Sequence, residues 1–183
     1  MTKQRHSKAY HRYFENYAET SSMSDKGRPV IRRVYVGEYY RVDLPDAEHR
    51  RRKLLILLLY LGCAASFLYS GLTMPMSSGR FPAIALMVCL ILLLFLTLAV
   101  FSRMTVPREM EIRQWRDSAE RLRLFGAASF IALGLSAILM PALSLTSPGY
   151  PLSANLPGML ALAASAVLAL LLLLAERKTP YAK

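Results

Sequence analysis

Two cysteines, three histidines and a few hydroxyls set in apolar stretches are the side chains here with reach for chemistry beyond packing. Thiol redox work usually shows a Cys-x-x-Cys pair, whereas Cys63 and Cys89 sit alone in separate apolar stretches. Cys63 is eleven residues from the outer end of its stretch and Cys89 six from its own. At ~1.5 Å per residue their depths differ by roughly 7 Å, which argues against a disulfide and for two small packing residues. Zinc chemistry needs clustered ligands, and His6, His11 and His49 form no cluster outside those stretches. Serine proteolysis needs a base beside the nucleophile, and no stretch offers Ser66, Ser70 or Ser136 one. A hydroxyl-lined path through Ser66, Ser70, Thr97 and Ser136 is left, although such hydroxyls mostly bond their own helix backbone. No glycine-rich phosphate loop is present. An enzyme acting on lipid at the membrane surface would have Glu48 and His49 as its candidates at the first stretch. No catalytic, cofactor or metal site is expected.

The distribution of charge decides the class. The 183 residues carry 23 Lys and Arg and 12 Asp and Glu, a net charge of +11, while 54% of the chain is hydrophobic. Leu54–Met74, Ala83–Ser102, Leu124–Leu145 and Gly158–Ala175 contain none of those charges. A bilayer core of ~30 Å needs about 20 apolar residues per helix. Three windows meet that directly, and the fourth borrows Leu156 and Pro157, proline being tolerated in a first helical turn. Ala83–Ser102 has no polar face for water. The fold class expected is an all-α integral membrane protein of four transmembrane helices. A soluble domain, a coiled coil, a disordered chain and a disulfide scaffold are excluded.

Basic residues set the orientation. Thirteen fall in residues 1–53, six in 103–123 and three after Ala175, against Arg80 alone on the other side. Both termini and the 103–123 segment are therefore expected in the cytoplasm, in a plasma membrane of bacterial type. Arg50, Arg51, Arg52 and Lys53 abut the first span as its interface anchors, acting as a topology signal more than an anionic-lipid contact. The same excess of charge explains the basic balance without nucleic acid. The first thirty residues have no apolar run, so the first span serves as its own insertion signal.

Helices in lipid are held together by close packing of small residues. Gly62, Ser66 and Ser70 make one stripe, Ala128, Ala132 and Ser136 a second, and Ala161, Ser165 and Ala169 a third. The second span has none. Spans one, three and four are thus expected to form the core, with the second peripheral; the alternative is that one stripe faces another subunit. Pro141 is expected to kink or end the third helix, an end being favoured because Pro148, Pro151 and Pro157 follow closely. The outer segments 75–82 and 146–157 are too short for an external domain.

The cytoplasmic segments have more pattern. Residues 9–19 place Tyr10, Phe14 and Tyr17 on one helical face. Residues 20–29 look like a linker. Residues 30–44 suggest a hairpin turning at Gly37-Glu38, with Tyr35 opposite Tyr40, Ile31 opposite Leu44 and Arg32 opposite Asp43. Tyr35, Tyr40, Val42 and Leu44 would then share an apolar face, the candidate partner-binding surface. A lone hairpin is marginal, so either the chain's own membrane-proximal loop or another protein must cover it. Pro45-Asp46-Ala47-Glu48 reads as a helix start. Residues 103–123 read as an amphipathic loop helix with Glu109–Arg113 and Asp117–Arg121 pairs and Trp115 at headgroup level. A short tail, 176–183, ends the chain.

The function expected is a non-catalytic membrane subunit that docks a protein partner through residues 1–53. A small homo-oligomeric channel or transporter is the alternative.

Overall fold

A computed structural model describes residues 17–23, 29–37, 39–75, 79–146 and 151–182. Four helices are long and apolar enough to cross a membrane: α1 Asp46–Thr73, α2 Arg80–Thr105, α3 Ile112–Thr146 and α4 Leu152–Arg177. Only 22% to 44% of each apolar window is buried inside the bundle. Leu72, Ile138 and Leu145 are each at least 73% exposed. A water-soluble bundle turns such side chains inward; here they face out on α1 and α3, as do Phe81 on α2 and Leu160 on α4.

α4 is the hub, lying against both α1 and α3, while α2 packs chiefly on α3. The seam is filled by Ile56, Cys63, Leu96, Leu133, Met140, Leu162, Ala169 and Leu172. Near the end where α1 finishes and α4 begins, Gly158 lets the two helices meet backbone to backbone. A Cβ there would lie 2.9 Å from Met74 Cβ and 3.1 Å from the Ser70 carbonyl oxygen.

The helices overrun the uncharged windows. α4 begins at Leu152, not near Gly158, so Pro157 lies inside the helix and not in its first turn. α3 continues through Pro141 to Thr146; the proline does not end it. Residues 103–123 are not a separate loop helix. Their first residues complete α2, Glu109–Met110 form a strand, and the rest is the start of α3. α1 starts at Asp46, as expected, with Asp46 and Glu48 in its first turn and Pro45, not Asp46, as cap.

Five strands gather at the end where α1 begins and α2 and α4 finish. The chain does not form the hairpin expected over 30–44. β2 (Pro29–Tyr35) pairs instead with β1 (Tyr17–Met23), Tyr35 opposite Tyr17 and Thr20 opposite Arg32. That places 17–19 in a strand and not in a 9–19 helix, and removes 20–23 from the linker. The remainder of 9–19 lies outside the described residues. β3 (Tyr40–Val42) is the middle of a three-stranded sheet, between β4 (Glu109–Met110) and β5 (Tyr181–Ala182). The physical reason is that a third strand and an apolar underside stabilise what an isolated hairpin cannot. Sequence-local pairing of β2 with β3 loses to pairings that give β3 two neighbours.

The Gly158 contact gives a direct test with its own control. Gly158→Ala should lower thermal stability of the detergent-extracted protein by about 1–3 kcal/mol, the usual cost of forcing a group into a filled site. Gly71→Ala, with nothing within 4 Å, should change it by less than about 0.5 kcal/mol. Equal melting of the two variants would refute the close α1–α4 approach.

Candidate functional site at the capped end

The capped end is built from three parts of the chain: the strands before α1, the α2–α3 connection and the residues after α4. Helices end with carbonyls that have no partner within the helix. The basic run before the first window supplies donors for two of these ends. Lys53 Nζ donates to the carbonyls of Met104 (3.0 Å) and Val106 (2.8 Å), closing α2. Arg52 Nη1 donates to the Lys178 carbonyl at 2.7 Å, closing α4. Of the five residues expected as interface anchors, Arg50 and Arg51 remain exposed, while Arg52, Lys53 and Trp115 are half-buried.

Arg108 ties the connection to α1. Its Nε donates to the Val42 carbonyl at 3.1 Å and its Nη1 lies 2.8 Å from Asp46 Oδ1. Val42 N returns a hydrogen bond to the Arg108 carbonyl at 3.1 Å, and Asp43 N donates to the Pro180 carbonyl at 3.2 Å. Val42, Leu44, Val106 and Met110 make the apolar underside of this sheet. Tyr40 stacks on Trp115 at 5.0 Å, and Trp115 meets the Tyr181 ring edge-on at 6.3 Å.

Beneath the sheet lies a charged pair. Arg103 and Glu176 are 2% and 0% exposed and meet at 3.4 Å, Nε to Oε2. The Tyr181 hydroxyl donates to Glu176 Oε1. Burial, and then the Glu176 charge, push the Tyr181 phenol above its ordinary range, so it remains a donor. The Arg103 and Arg123 guanidinium groups lie 5.6 and 5.5 Å from the Tyr181 ring centre, within cation–π range. Arg103 Nη1, Arg123 Nε and Trp115 Nε1 are buried without a protein hydrogen-bond partner.

The face expected to receive a partner is therefore occupied by the chain itself. Val42, Leu44 and Tyr35 are buried, and Tyr40 is covered by Trp115. The polypeptide's own loop and tail supply the covering surface. Tyr35 instead anchors the β1–β2 ribbon: its ring contacts Tyr17 at 5.2 Å, and its hydroxyl accepts from Ile112 N at 3.4 Å. Tyr17 donates to Glu111, and burial followed by that bond pushes its phenol up to about 12.

The small-residue stripes take different places. Gly62 lies beside Leu168 of α4; Ser70, Ser136, Ser165 and Ala169 are buried, while Ser66, Ala128, Ala132 and Ala161 are half-buried. In α3 the inward line is Gly126, Ser129, Leu133 and Ser136, one position off the expected alanines. Both cysteines are free and buried. Cys63 pairs with Ser165, whose hydroxyl donates to the Cys63 carbonyl at 2.9 Å, and Cys89 meets Ser136 Oγ at 3.3 Å. Each thiol thus joins two helices. Of the local ion pairs, Asp117–Arg121 forms at 2.9 Å, whereas Glu109 turns to Arg41 and Arg113 to Asp117. Glu48 is exposed and His49 buried, so these neighbours do not converge on one site. Among the described residues no group of His, Cys, Asp and Glu is set to hold a metal.

Sequence reasoning missed Arg103, Glu176 and Tyr181. A signal was there: Glu176 is the sole acid after Glu120 and touches the fourth window, as Arg103 touches the second.

Breaking that pair from one side should leave a buried unpaired charge, so Glu176→Leu should cost about 3–5 kcal/mol in detergent unfolding. Adding Arg103→Met should restore much of the loss. A double variant no more stable than Glu176→Leu would show that the two side chains are not coupled. The chain matches no family model, no curated protein and no solved structure.

Proposed function

We propose that this is a non-catalytic four-span membrane protein with its capped end in the cytoplasm, and that it serves as an accessory subunit holding a protein partner through the β1–β2 ribbon. Orientation is supported by the basic count, because the described parts of the three basic segments meet at one end of the bundle and Arg80 stands at the other. The Tyr40–Leu44 face, already covered, is set aside as the docking surface.

The observation that carries the docking site is the ribbon's isolation. Among the described residues β1 and β2 pair only with each other. Tyr17 and Tyr35 fasten one end to the start of α3. Two strands alone are marginal in water, and their outer edges offer backbone donors and acceptors for an added strand. Val34, Val36 and Tyr39, at the same end, are 52%, 66% and 52% exposed. Large apolar side chains outside the apolar windows and in water favour a protein partner. Leu96, Leu133, Met140, Leu162 and Leu172 close the seam, which favours a subunit over a channel within one copy.

The chain, tagged at its N-terminus and gently extracted, should copurify with a stoichiometric partner. Deleting 17–35 should cut recovery of that partner at least tenfold while leaving the bundle's melting temperature within a few degrees. Recovery of the lone chain, of a homo-oligomer only, or of the partner without the ribbon would each overturn the proposal.

A further inference from the structure

We propose that a groove between α2 and α3 at the capped end binds one phospholipid whose headgroup carries both a phosphate and a primary ammonium. The inference rests on the helices lying in a bilayer, and the ribbon enters it only through Tyr17, which lines the polar part of the groove.

Two cavities, about 350 and 320 Å³, share Ser102 and Asp117 as common walls. The first is apolar at its base, where Phe95 and Phe125 stack at 5.2 Å with their planes 11° apart. The second is polar and includes Glu111 and Arg113. Together they pass from a hydrocarbon-like floor to a charged mouth. Ser102 closes the second uncharged window, and Arg121 stands one turn before Leu124, where the third begins. In a bilayer that is the depth of the headgroups.

The mouth has a balanced set of charges, Glu111, Arg113, Asp117 and Arg121, on a protein of net charge +11. Asp117 lies 2.9 Å from Arg121 and 3.9 Å from Arg113. Arg121 is 59% exposed and Asp117 34%, so both can be reached from the groove. An anionic headgroup leaves the two carboxylates unmatched and is better served by exposed Arg50 and Arg51. A zwitterion matches both signs: its phosphate accepts from the Arg121 guanidinium, and its ammonium donates to Asp117 and Glu111. A primary ammonium has three N–H donors to give. A quaternary ammonium has none, so choline is excluded from the same contacts. The mouth also carries a π-helical turn, Arg116–Glu120, a geometry found frequently at functional sites.

Native mass spectrometry of the full chain, extracted and exchanged into equal amounts of phosphatidylethanolamine, phosphatidylglycerol and phosphatidylcholine, tests this. One retained phosphatidylethanolamine is expected, at least fivefold over either other lipid. Asp117→Asn should abolish that preference, and Arg51→Ala should preserve it. Equal retention of the three lipids, preference for phosphatidylglycerol, or an unchanged preference in Asp117→Asn would overturn the proposal. A melting temperature within a few degrees of the parent in both variants separates lost binding from lost fold.

Discussion

Helix carbonyls without partners are the constraint around which the capped end is arranged. α2 and α4 both finish there, each with carbonyls that no helical N–H can reach. Lys53 and Arg52 come from α1 to meet them. A cation at a helix C-terminus gains from the hydrogen bond and from the helix dipole together. One short basic run therefore fixes the relative height of three helices. With those heights fixed, Arg108 and β3 reach each other, and the tail after α4 is brought beside β3. The aromatic stack and the apolar underside follow from that placement.

The buried Arg103–Glu176 pair extends the same logic inward. It joins α2 to α4, which do not pack closely along their apolar lengths. Such a pair is weak evidence for added stability, since desolvation offsets most of the attraction. Its stronger contribution is geometric, because a carboxylate that also accepts from Tyr181 holds the chain's last strand in one position. Ion pair, ring contacts and strand are then one arrangement. These charged and aromatic side chains hold the architecture of the capped end together.

The four apolar helices were legible because the absence of charge is a local property of the chain. Their ends were not. Helical backbone runs on beyond the uncharged windows, as from Leu152, and through Pro141. The start of α1 was readable from Pro45, Asp46 and Glu48. The sheet was not, because its three strands lie far apart in the sequence and two of them are only two residues long. Periodicity placed Tyr35, Tyr40 and Val42 in strands, while Leu44 lies beyond the end of β3; periodicity carries no information about what covers them. The charges of Arg103 and Glu176 entered the topology count while their pairing stayed hidden, since a contact between distant residues leaves no local pattern.

The proposed orientation puts the segment before α1, the α2–α3 connection and the residues after α4 on one side of a membrane, facing the cytoplasm. Single cysteines at Arg41, Glu109 and Ala182, in a chain with Cys63 and Cys89 replaced by alanine, allow it to be measured with a membrane-impermeant maleimide. All three should be silent in intact cells and react after permeabilisation, while a cysteine at Gly79 should react in intact cells. Labelling of any one of the three from outside, or a division among them, would contradict the account.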